Sequence, residues 1–221
     1  MSDIILIVAC MTLTSIFILQ ERDQHYTSAM VLKGLASLCF VLLGFNSSNG
    51  SQQARLICAG LLIGMIADVL LALRYVVKKN GQKVFLVGIL VFLTGHIMYL
   101  AAVFPECPSK LIVIIAAVIL TFLLMKWIFS RITAEKAFKI FGVVYIGAIV
   151  FLTCTAFANL FADSSLFHTV FAAGCLLFLV SDIVMVLNTF GSEQKFSLRV
   201  TNLSLYYAGQ LLIAISLKTL L

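Results

Sequence analysis

The chain has 221 residues, 62% of them hydrophobic and 11% charged, with a mean hydropathy of +1.15 and a formal net charge of +6. That composition excludes an ordinary soluble domain, and because the basic residues fall in short loops their surplus is a topology signal, not a nucleic-acid surface. The six cysteines have no CxxC or metal-ligand spacing and point neither to a disulfide framework nor to a metal centre.

The first apolar run, Ile4 to Leu19, lacks a basic segment before it and is followed by Gln20-Glu-Arg-Asp23, which is no small-residue cleavage site, so it reads as a span and not as a signal peptide. Seven more runs follow, and the predicted spans are about 4–20, 28–45, 55–77, 84–104, 110–130, 137–160, 165–188 and 200–219. Only helices and closed barrels satisfy their backbone in lipid, and these runs are too long and unalternating for barrel strands. The predicted fold is all-α: a polytopic membrane bundle of eight transmembrane helices in one integral domain over 1–221. Twelve of the 15 basic residues, Arg74 and Lys126 among them, belong to the loops after spans 1, 3, 5 and 7 or to the adjoining helix ends. By the positive-inside bias both termini face away from the cytoplasm.

Spans 3 and 7 each carry an acid within an apolar run. Gly60 precedes Asp68 by eight residues and Gly174 precedes Asp182 by eight, an offset of 114 between the two stretches. The same offset relates Gly95-His96 to Gly209-Gln210, 28 residues beyond each aspartate. This spacing predicts two related four-helix halves, approximately 1–107 and 108–221, related by an axis along the membrane normal. Both carboxylates then fall at similar depth in the cytoplasmic half, and one cavity near the pseudo-axis is expected to hold both.

An ionisable group at membrane depth costs about 2.5–3.5 kcal/mol on insertion scales and faces a cavity or a partner. Asp68 and Asp182 are therefore the candidate catalytic residues; the structural alternative is pairing with Lys33 or Arg74 that merely orients helices. Lys33, one turn inside span 2, either snorkels to the surface or turns inward to a carboxylate or phosphate. Arg74, six residues after Asp68, offers a planar fork to a phosphate head group. His96 and Tyr99 in span 4, Asn188 at the end of span 7, and Tyr206, Tyr207 and Gln210 in span 8 complete the polar set, either lining a cavity or binding helices together. Tyr26, Tyr75, Trp127 and Tyr145 are read as markers of the membrane interfaces. Neither a metal nor another cofactor is expected.

The ordered set Ala67-Asp68 with Leu70, Gly95-His96 with Tyr99, Ser181-Asp182 through Asn188 and Phe190, and Tyr206-Tyr207 with Gln210 to Ile213, together with Lys33, resembles the YhhN-like family of lysoplasmalogenases over most of the chain. Two positions depart from the family pattern: Ala67 stands where Gly is frequent, and Gly34 follows Lys33 where Pro is frequent. The resemblance implies hydrolysis of the vinyl ether bond of lysoplasmalogens, releasing a fatty aldehyde and glycerophosphocholine or glycerophosphoethanolamine. Its partners would be a lysophospholipid substrate and membrane lipids. Protonation of the vinyl ether at its β-carbon creates an oxocarbenium ion, so one aspartate is expected to be the general acid and the other an ionised cation stabiliser; the residues alone do not say which. Lys33, Arg74, Asn188, Tyr206 and Tyr207 would receive phosphate and glycerol oxygens. Repeated halves with intramembrane acids also suit a proton-coupled small-solute transporter, the alternative from the residues alone; a lipid-binding scaffold is a third.

Overall fold

Short polar segments separate the apolar runs, and their chemistry sets where each helix begins. Ser51 closes the start of one helix by accepting the Ala54 N–H, and Ser165 does the same for another with the His168 N–H. Each satisfies a donor that the first turn leaves open. Gly50, at φ +76°, supplies the left-handed step that admits the reversal just before Ser51.

A computed structural model describes residues 2–220. Its helices are α1 (Ser2–Arg22), α2 (Tyr26–Ser47), α3 (Gln52–Val76), α4 (Gly81–Val103), α5 (Lys110–Phe129), α6 (Lys136–Ala162), α7 (Leu166–Phe190) and α8 (Phe196–Ser216), with 3-10 turns at Lys78–Asn80 and Leu217–Thr219. All eight α-helices are long and apolar enough to cross a membrane, and every predicted span ends within four residues of its helix. The chain is a multi-pass membrane protein of helical-bundle fold.

The helices group into two compact units. One runs to Tyr99 and takes in the C-terminal stretch from Ile213; the other is Leu100–Leu212. In the first, α2 packs between α1 and α3, and its core includes Phe17, Phe40, Leu43 and Leu61, all fully buried. The far end of the chain is fastened to it: Lys218 pairs with Asp3, and the Asn49 side-chain amide donates to the Leu220 carbonyl. In the second, α6 packs between α5 and α7, around Ile146, Ile149, Leu152 and Cys175. Large apolar side chains on α5 such as Leu111, Val118 and Phe122 are exposed, as suits a surface whose solvent is hydrocarbon.

Glycines bring backbones together within each unit. A Cβ on Gly60 would run into the Tyr99 ring and lie 3.1 Å from the Gly95 carbonyl oxygen, so α3 and α4 cross at this pair. In the second unit a Cβ on Gly209 would lie 2.9 Å from the Gly174 carbonyl and 3.2 Å from the Phe178 nitrogen, where α8 crosses α7. The 114-residue spacing noted in the sequence thus joins glycines that have the same task. It also joins Ser51 to Ser165.

Backbone atoms cannot yield as a flexible side chain can. Gly209→Ala is expected to destabilise the protein by about 1–3 kcal/mol, the usual range for overpacking, seen as a lower thermal midpoint in detergent. Gly142→Ala, whose Cβ would meet only the end of the Met125 side chain at 3.9 Å, should leave the midpoint unchanged or raise it.

Candidate functional site

Asp68 sits eight residues before the end of α3, about 12 Å along the axis from that helix terminus. It is 1% exposed. Lys33 Nζ lies 2.9 Å from its Oδ1, and Ser37 Oγ donates to its Oδ2 at 2.7 Å. Lys33 and Ser37 are one turn apart on α2, which lets both side chains meet one carboxylate. Of the two directions open to Lys33, the fold takes the inward one, leaving it 4% exposed.

Arg74 has other company. Its guanidinium carbon is 4.4 Å from the ring centroids of both Tyr75 and Phe85, and it donates to the Tyr75 hydroxyl. Tyr75 stacks in turn on Tyr26 at 5.3 Å. Such a cation between rings is held by their quadrupoles, and the buried Nε has no hydrogen-bond partner. Tyr75 and Phe85 thus build an aromatic seat for Arg74, with Tyr26 stacked behind Tyr75. On α4, His96 and Tyr99 are both buried, His96 beside Phe92 and Tyr99 against Gly60.

Asp182 in the second unit likewise stands eight residues before the end of its helix, α7, and is 4% exposed. The Tyr145 hydroxyl of α6 donates to its Oδ2 at 2.8 Å. Tyr145 is not the interface marker that its residue type predicts: its ring is buried and its hydroxyl is bound to an acid. The neighbouring Ser181 is tied to α8. Asn202 Nδ2 donates to the Ser181 carbonyl and hydroxyl at 3.0 and 2.7 Å, and the hydroxyl donates to the Asn202 carbonyl at 2.9 Å. These bonds fix the rotation of α7 at the residue next to the acid.

Further along α8, Gln210 Nε2 donates to the Tyr206 hydroxyl at 3.2 Å, and the Tyr206 ring packs on Phe178 and Tyr207. Tyr206, Tyr207 and Gln210 are all buried. Asn188 is half-buried, and its Oδ1 accepts the Lys195 N–H at 2.7 Å, which closes the α7–α8 connection. Its carbonyl oxygen already serves the loop. Ser37, Tyr145 and Asn202 are the partners that sequence reasoning missed. Ser37 had a signal in its one-turn spacing from Lys33; Tyr145 had none, because the residue 114 positions earlier is Val31.

The partners described above differ between the two carboxylates. Asp68 faces an ammonium and a hydroxyl, and an ion pair in hydrocarbon holds only if its remaining lone pairs are also bonded. Asp182 accepts from a phenol, which can orient an acid without neutralising it. Among the described residues, no three His, Cys, Asp or Glu side chains converge as metal ligands.

Comparison with known proteins adds an independent line. The YhhN family model matches residues 28–217. The chain is 33% identical over 207 residues to lysoplasmalogenase TMEM86A of Bos taurus, which covers 90% of this chain and 81% of that protein. No solved structure matches it.

Breaking a buried ion pair from one side leaves an uncompensated charge, at a cost of about 3–5 kcal/mol. Lys33→Met and Asp68→Asn should each lower the thermal midpoint sharply in detergent, while the double variant should regain much of the loss. A double variant as unstable as the sum of the two would show that the pair is not coupled.

Proposed function

The chain belongs to the YhhN family, and on that premise we propose that it hydrolyses the vinyl ether bond of lysoplasmalogens, releasing a fatty aldehyde and glycerophosphocholine or glycerophosphoethanolamine. The observation that carries this reading is the similarity to a lysoplasmalogenase along 90% of the chain. Two buried acids on membrane-spanning helices, each set by its own donors, support it chemically. The transporter reading gains nothing from the same comparisons.

Hydrolysis needs a proton delivered to the β-carbon of the alkenyl ether and a negative charge near the oxocarbenium ion that results. Water then adds to the cationic carbon and loses a proton, and the hemiacetal splits into aldehyde and alcohol. Atoms balance with one water consumed and the proton returned. We assign the anionic role to Asp68, because it is ion-paired with Lys33 at 2.9 Å and accepts a hydrogen bond from Ser37 at 2.7 Å. The proton-donor role then falls to Asp182, with Tyr145 as its positioning residue. The division parallels the paired acids of glycoside hydrolysis, where one carboxyl donates and the other faces the cation.

Lys33 is occupied by Asp68, so in this scheme it is a positioning residue and not a phosphate ligand. Arg74 keeps the phosphate role, with the hydrogen-bonding edge of a guanidinium whose faces are covered by rings. Tyr206 and Tyr207 are assigned to the glycerol oxygens; His96, Tyr99 and Gln210 support the polar interior. By the positive-inside bias, we take the C-terminal ends of α3 and α7 to face the cytoplasm and both termini to lie opposite. A single-chain lipid would then reach the acids from the inner leaflet.

Purified protein in detergent, given a lysoplasmalogen, is expected to release aldehyde without added metal or nucleotide. Asp68→Asn and Asp182→Asn should each lower that rate by at least about 100-fold, the smallest effect usual for a general acid or base, in variants that still unfold cooperatively. Tyr145→Phe should have a milder effect. Full turnover in both aspartate variants would overturn the two-acid scheme, and solute uptake into proteoliposomes without aldehyde release would replace it with transport.

A further inference from the structure

On the outer side of α5 and α6, within the second unit, lies a groove of about 750 Å³. Ala117, Thr121 and Met125 line it from α5, and Val143, Gly147 and Phe151 from α6. Its lining on α5 runs from Ile114 to Phe129, a rise of about 22 Å. A Cβ on Gly147 would meet only Thr121, its methyl at 3.4 Å and its hydroxyl at 3.8 Å, so α6 presents little bulk to α5 at this level.

The groove is separate from the acid in the same unit. Tyr145, which holds Asp182, is two residues from both Val143 and Gly147, and positions two apart lie about 160° apart around a helix. Apart from Thr121 midway, its walls are apolar except at one end. There Lys126 forms part of the lining, and the Lys139 ammonium sits 5.8 Å from the ring of Phe129, another lining residue. Arg131 stacks on Trp127 at 4.3 Å in the same region, and Glu135 is the sole acidic residue in the 130–139 stretch.

A peptide is a poor occupant of such a place, since irregular backbone cannot face hydrocarbon. We propose that the groove binds one phospholipid of net negative charge, with an acyl chain lying along α5 and α6 and the head-group phosphate at Lys126 and Lys139. Basic pockets at the ends of transmembrane helices select acidic head groups in this manner. The apolar length gives affinity for a tail; the lysines give preference for charge.

The chain has a single tryptophan, Trp127, at the cationic end of the groove, which provides a direct readout. The full-length protein is placed in phosphatidylcholine bilayers with a minor share of bromine-tailed phosphatidylglycerol or, separately, bromine-tailed phosphatidylcholine. Phosphatidylglycerol should quench Trp127 at a share roughly 30-fold lower, from two lysines each acting on the head group. Lys126→Gln with Lys139→Gln should remove that preference. Gly147→Leu, which fills the groove, should remove it too, and native mass spectrometry of the unaltered protein should retain one phosphatidylglycerol. Equal quenching by the two lipids would overturn the proposal. A disulfide-linked dimer formed through Val118→Cys would also overturn it, by placing a second copy of the chain on this face.

Discussion

The rest of the structure depends on one constraint: hydrocarbon offers no hydrogen-bond partner, so a carboxylate or ammonium sunk into it needs a partner on another helix. The Lys33–Asp68 pair is the strongest case. A lone ammonium or carboxylate at that depth would be costly, whereas together, with Ser37 bonded to the second oxygen, they make a locally neutral contact between α2 and α3. Tyr145 with Asp182, and Asn202 with Ser181, answer the same demand with uncharged donors in the second unit. Polar groups thus fix the register of helices whose apolar faces would slide on one another freely.

The fold was largely legible in the sequence because lipid imposes simple rules. A run of about 20 apolar residues has one stable solution, and all eight runs take it. The glycines were legible as a repeated spacing, and the structure shows what they touch: Gly60 meets Gly95 and Tyr99, Gly209 meets Gly174. The acids were conspicuous for the opposite reason, being the residues that the membrane least tolerates.

Their partners were harder to read. Lys33 had two physically reasonable directions, and only the position of α3 decides between them. Tyr145 looks like an interfacial ring by residue type, and nothing local reveals that α7 presents Asp182 to its hydroxyl. Nor does the 114-residue spacing help, since it keeps Ser51 with Ser165 and Asp68 with Asp182 but sets Lys33 against Gly147. The backbone devices are alike in the two halves of the chain, while the side chains around each acid differ. The two aspartates, at matched helical positions, are thus held by different partners.

The first unit is assembled from both ends of the chain, since α1 to α4 share it with the stretch after Ile213. A Cβ on Gly44 of α2 would lie 3.8 Å from the Ala214 methyl, and Asp3 and Asn49 hold Lys218 and Leu220. During synthesis, α1 to α3 must therefore wait in the membrane until the stretch from Ile213 has been made. Completing this unit thus waits on the whole of the stretch 100–212 that comes between its two parts.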